Sequence, residues 1–245
     1  MPKRVLICIP DRDFDVTEVA TPWHRFREAG FRVVFATEAG AIGQADPRLL
    51  TGVVFGQLGA APDAIERYHR MVQSPEFQHP VRWSDVDAAT FSALVLPGGH
   101  AQGMKQYLES LEVRVIAQVF LAAAKPVGAI CHGVVVLART QDPVSGKSVL
   151  FKRQVTGLLK VLERAAYFAT FWKLGTYYRT YPAYVQDEIE KALASPRQFQ
   201  TGRAAWLPFA VRDGNLITAR WPKDAELFAA EIIHALAAAG QEGSR

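Results

Sequence analysis

One short segment of the sequence combines a nucleophile with a base. Val127 to Ile130 is predicted to be a buried strand, and it runs directly into Cys131, His132 and Gly133. An apolar strand that ends in a tight turn of small residues before a helix is typical of a nucleophile elbow. The helix that follows directs its free N–H groups toward the sulfur, which favours the thiolate. We therefore expect Cys131 to be a nucleophile with a depressed thiol pKa, acting together with the adjacent His132.

A second turn follows another buried strand. The apolar run from Ala93 to Leu96 ends in a Pro-Gly-Gly turn that contains Gly99. In a doubly wound sheet the carboxyl ends of parallel strands meet at one edge, so this turn can lie beside Cys131. The backbone amides of Gly99 and His132 would then form an oxyanion hole. A lone turn of this kind is weak evidence, and its pairing with the elbow makes the pattern specific.

The elements that position these residues follow from short β-branched runs that alternate with amphipathic stretches. This alternation predicts a mostly parallel sheet with helices on both faces. We predict strands at 5–9, 31–36, 93–96, 127–130 and 154–157, and a hairpin of strands 204–211 and 216–219. We predict helices at 16–27, 111–124, 132–139, 158–171 and 222–239.

The chain 1–245 shows no internal repeat and no linker, so we expect one α/β domain, a three-layer αβα sandwich. The segment 167–200 is rich in aromatic residues. It is expected to form a cap-like insertion that shapes a substrate pocket, and packing of its aromatic side chains alone is an equal alternative.

Composition and charge exclude several classes of protein. Of the 245 residues, 49% are hydrophobic and 21% are charged, as in an ordinary folded domain. We find no apolar run of ~18 residues, and the short apolar stretch near the N-terminus is predicted to be a buried strand. A cytoplasmic protein without a membrane partner is therefore expected. The net charge of +4 comes from scattered basic residues, which indicates no nucleic-acid partner.

The cysteines and histidines indicate neither a disulfide framework nor a metal centre. Only two cysteines are present, and Cys8 is predicted to be a small core residue of the first strand. The histidines at 24, 69, 79 and 100 do not fall at the spacing of metal ligands, so no catalytic metal is expected. No organic cofactor is expected either.

The elbow and its surroundings resemble the ThiJ/PfpI superfamily. The residues that carry the resemblance are Glu18 and the segments 93–99, 125–133 and 213–220. Because Cys131 is followed by His132 and the chain is longer than the minimal form, the resemblance is closest to the heat-shock-chaperone/glyoxalase III branch. It implies the class I glutamine amidotransferase-like fold, a flavodoxin-like arrangement.

The resemblance also implies a set of site residues. Cys131 and His132 match the nucleophile and its neighbouring histidine, and Glu18 matches the acid that lies beside the thiol. Burial would make Glu18 a proton shuttle, although the helix dipole alone also explains a glutamate in a first turn. Glu163 falls where this branch places a further acid. An equal alternative is that Glu163 is an exposed helix residue beside Arg164.

The function implied by the resemblance is that of a thiol enzyme of the glutathione-independent glyoxalase III type. Its substrate would be a small reactive aldehyde, methylglyoxal, with lactate as product; a homodimer is one assembly that we consider. Two alternatives stay open. One is a Cys-His-acid hydrolase, an amidase or peptidase. The other is a redox-responsive chaperone without turnover, in which Cys131 oxidises to a sulfinate beside Glu18.

Overall fold

A central sheet organises the molecule, for which a computed structural model describes residues 2–242. The strands are β1 Arg4–Cys8, β2 Arg12–Phe14, β3 Arg32–Thr37, β4 Gln44–Ala45, β5 Val81–Arg82, β6 Ala93–Leu96, β7 Val127–Ile130, β8 Ala210–Asp213 and β9 Leu216–Ala219. Seven of them form one sheet in the order β5-β3-β1-β6-β7-β9-β8, and β2 pairs with β4 in a separate two-stranded sheet. In the large sheet only β8 runs antiparallel to its neighbour, β9.

The helices cover this sheet. They are α1 Val16–Glu28, α2 Pro47–Thr51, α3 Pro62–Val72, α4 Pro75–Gln78, α5 Lys105–Glu109, α6 Leu111–Ala122, α7 Gly133–Arg139, α8 Lys160–Leu174, α9 Val185–Ala192 and α10 Ala225–Glu242. Helix α1 packs against α3 and α10, and α6 packs against α7. Every residue of β6 and β7 is buried, which requires helices on both faces of the sheet. The three-layer α/β sandwich predicted from the sequence is confirmed. Within residues 2–242, no helix is both long and apolar enough to cross a bilayer.

Most of the predicted strands are present. The strands at 93–96, 127–130 and 216–219 are confirmed, and so is the hairpin, although β8 begins only at Ala210. The strand predicted at 154–157 is wrong. Val155 makes one isolated bridge to Phe199. The next amide, that of Thr156, donates to the side-chain hydroxyl of Thr218 at 2.9 Å instead of to the backbone carbonyl of a neighbouring strand.

Candidate active site

Cys131 occupies a strained turn at the carboxyl end of β7. Its φ angle is +58°, a left-handed conformation that residues other than glycine seldom adopt, and its N–H donates to the Ala219 carbonyl at 3.1 Å. The side chain is only 1% exposed. The central position of β7, between the parallel strands β6 and β9, fixes this turn at the carboxyl edge of the sheet. The predicted position of Cys131 at a strand end is confirmed, and its left-handed backbone is strained, as in a nucleophile elbow.

Two glycines allow the elbow and the Pro-Gly-Gly turn to touch. A Cβ atom at Gly133 would lie 2.1 Å from the Leu96 carbonyl oxygen, and one at Gly98 would lie 2.7 Å from the His132 nitrogen. Neither approach is sterically possible for a larger residue without backbone movement. The ends of β6 and β7 therefore form one continuous structure around the Cys131 side chain.

The first turn of α1 delivers Glu18 to this structure. Asp15 caps the helix, since its Oδ1 accepts hydrogen bonds from the Thr17 and Glu18 amides at 2.8 and 3.0 Å. Glu18 itself is fully buried, and its Oε2 accepts the Gly98 N–H at 2.9 Å. The turn that approaches Cys131 thus also holds the carboxyl group in place.

The Glu18 carboxyl interacts directly with the thiol. Burial, followed by the charge of Asp15, raises the pKa of Glu18 well above its usual value, while the Gly98 N–H and the neighbouring Cys131 thiol oppose the rise. Oε2 accepts the Gly98 N–H, and Oε1 has no hydrogen-bond partner within the described residues. Glu18 is therefore positioned as a proton carrier that is protonated more readily than an ordinary glutamate.

The expected depression of the Cys131 pKa is wrong for the resting site. Burial is the largest cause of a rise well above the usual thiol pKa, and the charges of Glu18 and Asp15 add to it. The His132 amide at the start of α7 does favour the thiolate, as the sequence indicates, but it is outweighed. The thiol therefore stays protonated until a neighbouring group accepts its proton.

His132 is placed to accept that proton, and Thr180 determines which of its ring nitrogens is free. His132 Nδ1 lies 3.5 Å from the Cys131 sulfur, and Nε2 lies 3.4 Å from the Thr180 hydroxyl. The single proton of this hydroxyl is donated to the His100 carbonyl at 2.7 Å, so toward Nε2 the Thr180 oxygen can only accept. Nε2 then carries the imidazole proton, and Nδ1 presents a lone pair to the thiol.

The surroundings of His132 keep its ring neutral. Burial lowers the pKa of His132 well below its usual value, and His100, Arg139 and Arg179 lower it further. The His100 ring stands 4.9 Å from the His132 ring, centroid to centroid. A neutral imidazole can accept a proton, which a protonated one cannot.

The structure does not bring Glu163 to His132. Glu163 is 1% exposed, so its interpretation as an exposed helix residue is wrong. Its carboxyl accepts hydrogen bonds from Arg179 at 3.0 Å and from the Val185 amide at 2.9 Å. Burial nevertheless raises its pKa. Within the described part of the chain, the two hydrogen bonds of the Glu163 carboxyl connect α8 to Arg179 and to the start of α9, and not to the elbow.

Comparison with known proteins identifies the family. A model described as ThiJ/PfpI family-like matches residues 9–202. The chain belongs to the ThiJ/PfpI family. Glyoxalase 3 of Candida albicans is 22% identical over 220 residues, which are 90% of this chain and 88% of that protein. An uncharacterized protein of Schizosaccharomyces pombe is 38% identical over 109 residues, and the match spans 44% of this chain but only 41% of that relative.

A solved structure supports the same placement. Glyoxalase III from Candida albicans superposes with a TM-score of 0.73 at 20% sequence identity, and the match covers 95% of this chain and 97% of that one. At this identity the likeness concerns the fold. Together with the sequence relatives, it confirms the resemblance to the glyoxalase III branch of the ThiJ/PfpI family.

Several residues around the ThiJ/PfpI elbow were missed by the sequence reasoning. Asp15 stands three residues before Glu18 and satisfies a helix-capping pattern that could have been found. His100 directly follows the Pro-Gly-Gly turn, but the sequence gives it no partner. Thr180 and Arg179 lie in the segment 167–200 predicted to be a cap, and no motif marks them.

Proposed function

We propose that this protein is a cysteine-dependent enzyme that acts on a small reactive carbonyl, of the glutathione-independent glyoxalase III type. The observation that carries the proposal is the pair of proton carriers at one thiol. His132 Nδ1 lies 3.5 Å from the Cys131 sulfur, and the tautomer set by Thr180 leaves this nitrogen free to accept a proton. The Glu18 carboxyl interacts with the same sulfur and has a raised pKa. Conversion of an α-oxoaldehyde to a hydroxy acid requires a nucleophile together with groups that move protons between adjacent carbons.

The first step would be addition of the thiol to the aldehyde of methylglyoxal. The Cys131 S–H proton passes to His132 Nδ1, and the sulfur forms a bond to the aldehyde carbon. We propose that the developing oxyanion is stabilised by the amides of Gly99 and His132. Among the described residues the Gly99 N–H makes no hydrogen bond, which leaves it available to the substrate. Protonation of the oxyanion gives a hemithioacetal.

The second step would move a proton between carbons. Glu18 or His132 removes the proton from the former aldehyde carbon, which gives an enediol, and the neighbouring carbon is then protonated. The product is a thioester of lactate with Cys131. Attack by water on the thioester releases lactate and restores the thiol, so that methylglyoxal plus water gives lactate. A carboxyl group whose pKa is raised well above its usual value by burial, as that of Glu18 is, suits such a shuttle.

The test is lactate formation from methylglyoxal by the purified protein and by two cysteine variants. Cys131→Ala is expected to abolish turnover. Cys8→Ala removes the other cysteine, which is fully buried in β1, and should leave turnover unchanged. Equal turnover in wild type and Cys131→Ala would refute the proposal. Activity on amide or peptide substrates, lost in Cys131→Ala, would instead favour a hydrolase that uses the same Cys–His pair.

A second candidate function rests on an exposed aromatic surface. On α8, Phe168, Phe171 and Trp172 are about half exposed, and the ring of Phe55, 79% exposed, lies 6.1 Å from that of Trp172. We call these four residues and Tyr167 the aromatic patch. Large exposed apolar surfaces on soluble domains mark sites of interaction. This patch favours the chaperone alternative, in which unfolded chains are bound without turnover.

The chaperone alternative predicts that the protein suppresses aggregation of a heat-unfolded client. Replacing Phe168 and Trp172 together by serine should remove the suppression. Val144→Ser is the matched control, because Val144 is 94% exposed but lies in a loop outside the patch. Suppression that is unchanged in the double variant would exclude the patch as the binding surface.

A further inference from the structure

The ends of β6 and β7 bring together three side chains with soft or borderline ligand atoms. The Cys131 sulfur and one ring nitrogen each from His100 and His132 all lie within 4.8 Å of one another. The sequence spacing gives no indication of this cluster, because it is assembled from two strand ends that are joined only by the sheet. A thiolate with two imidazoles is a donor set that suits Zn²⁺.

We propose that His100, Cys131 and His132 form a binding site for Zn²⁺ that reversibly blocks the nucleophile. With Zn–N bonds of about 2.0–2.1 Å and a Zn–S bond of about 2.3 Å, tetrahedral ligands stand roughly 3.3–3.6 Å apart. The 3.5 Å separation of the Cys131 sulfur from His132 Nδ1 already meets this requirement. Binding replaces the thiol proton, which leaves to solvent as the sulfur–metal bond forms, and no electron is transferred.

His132 has the outer contact of a metal ligand. Imidazole ligands usually donate their second N–H to a protein oxygen, which fixes the tautomer and orients the ring. The Thr180 hydroxyl accepts from Nε2 at 3.4 Å, so the Nδ1 lone pair points toward the sulfur and is available to a cation.

His100 can complete the site with a small movement. Its ring makes no hydrogen bond within residues 2–242, and the residue lies in the turn after β6, where it is partly exposed to solvent. A displacement of about 1 Å would bring its nitrogen to the separation of tetrahedral ligands.

Two carboxyl groups act on the Cys131 sulfur and favour a positive charge beside it: Asp15, which is ionised at neutral pH, and Glu18, which a bound cation would help to ionise. Glu18 is fully buried, and its Oε1 has no hydrogen-bond partner. The two arginines nearest His132 are already neutralised, Arg179 by Glu163 at 3.0 Å and Arg139 by Glu188. A buried carboxyl oxygen without a partner gains more from a nearby cation than an exposed one does.

Cobalt(II) titration of the purified chain tests the site without relying on turnover. One equivalent of Co²⁺ is expected to give a sulfur-to-metal charge-transfer band and the intense visible bands of tetrahedral coordination, and Zn²⁺ should displace both. Cys131→Ala should lose the charge-transfer band, and His100→Ala should weaken binding by about tenfold or more. Cys8→Ala and the surface variant His69→Ala should bind as the wild type does.

Three results would overturn the proposal: no charge-transfer band in the wild type, a band that survives in Cys131→Ala, or unchanged affinity in His100→Ala. If His100→Ala fails to fold, His100→Gln serves the same purpose. The inhibitory role of the metal rests on the proposed glyoxalase function. Zn²⁺ should therefore suppress lactate formation, and a chelator should restore it. A metal-free protein without turnover would refute the function, while the cobalt titration still decides the site.

Discussion

Replacing Asp15 by asparagine isolates the electrostatic cost of the carboxyl groups beneath the nucleophile. Asp15 is 8% exposed and caps α1 through its Oδ1 atom. Asparagine has a carbonyl oxygen in the same place and is an equally good cap. The substitution therefore keeps the hydrogen bonds to the Thr17 and Glu18 amides and removes only the charge.

The magnitude follows from the pKa of Asp15, which burial raises from 3.8 to about 6. Between these values the folded chain holds a proton that the unfolded chain has released, so the free energy of unfolding falls as pH rises through this window. Each tenfold change in proton affinity is worth 1.36 kcal/mol, so the wild type loses about 3 kcal/mol by neutral pH. Asp15→Asn does not titrate and should be more stable than the wild type by up to this amount at pH 7.

Urea unfolding at a series of pH values from about 3 to 7 measures this difference, because this range extends about one unit beyond each end of the window. The two proteins should be equally stable near pH 3.5 and diverge toward pH 6. Asp87→Asn is the matched control, because Asp87 also caps a helical turn but is exposed. A difference between wild type and Asp15→Asn that is independent of pH, or a less stable variant at pH 7, would refute the reasoning. The variant should also alkylate faster at Cys131, since the Asp15 charge raises the thiol pKa.

Three further substitutions test the contacts of the site. Thr180→Val should lower turnover by about tenfold to a hundredfold, because the His132 tautomer is no longer fixed, and Thr180→Ser should restore turnover. Steady-state kinetics measure the turnover, and ¹⁵N chemical shifts of the His132 ring report the tautomer. Glu163→Gln should cost about 1–3 kcal/mol in chemical denaturation and leave turnover nearly unchanged, whereas a large loss of turnover with full stability would establish a catalytic acid. Gly98→Ala should destabilise the protein by about 1–3 kcal/mol in thermal unfolding and abolish turnover, because its Cβ would lie 2.8 Å from both Glu18 Oε2 and Cys131 Cβ.

The elbow could be predicted from the sequence because its determinants are local. A strand of four apolar or small residues is followed at once by Cys131, His132 and Gly133. The steric need for glycine at Gly133 and at Gly98 comes instead from the close approach of the ends of β6 and β7. Because parallel strand ends gather at one edge of a sheet, the meeting of the two turns could be predicted as well.

The partners of His132 could not be predicted, because they depend on packing between distant segments. Thr180 reaches the elbow through a loop between α8 and α9, and its hydroxyl contacts His100, which lies 80 residues earlier. Hydrophobic periodicity reports which side of an element is buried, and it carries no information about which buried hydroxyl faces which ring. For the same reason the resemblance pointed to Glu163, whose carboxyl is held by Arg179 instead.

The thiol pKa also escaped local reasoning, and its direction changes how the nucleophile must work. A helix N-terminus favours the thiolate by a modest amount, whereas complete burial beside Glu18 and Asp15 disfavours it by more. The resting site therefore holds a neutral thiol next to the neutral imidazole of His132. In the proposed mechanism, the sulfur becomes nucleophilic only as its proton moves to Nδ1 during attack on a substrate. We therefore expect Cys131 to react slowly with general alkylating agents and to react with a small carbonyl that enters beside Gly99, because the proposed reaction depends on proton transfer rather than on a standing thiolate.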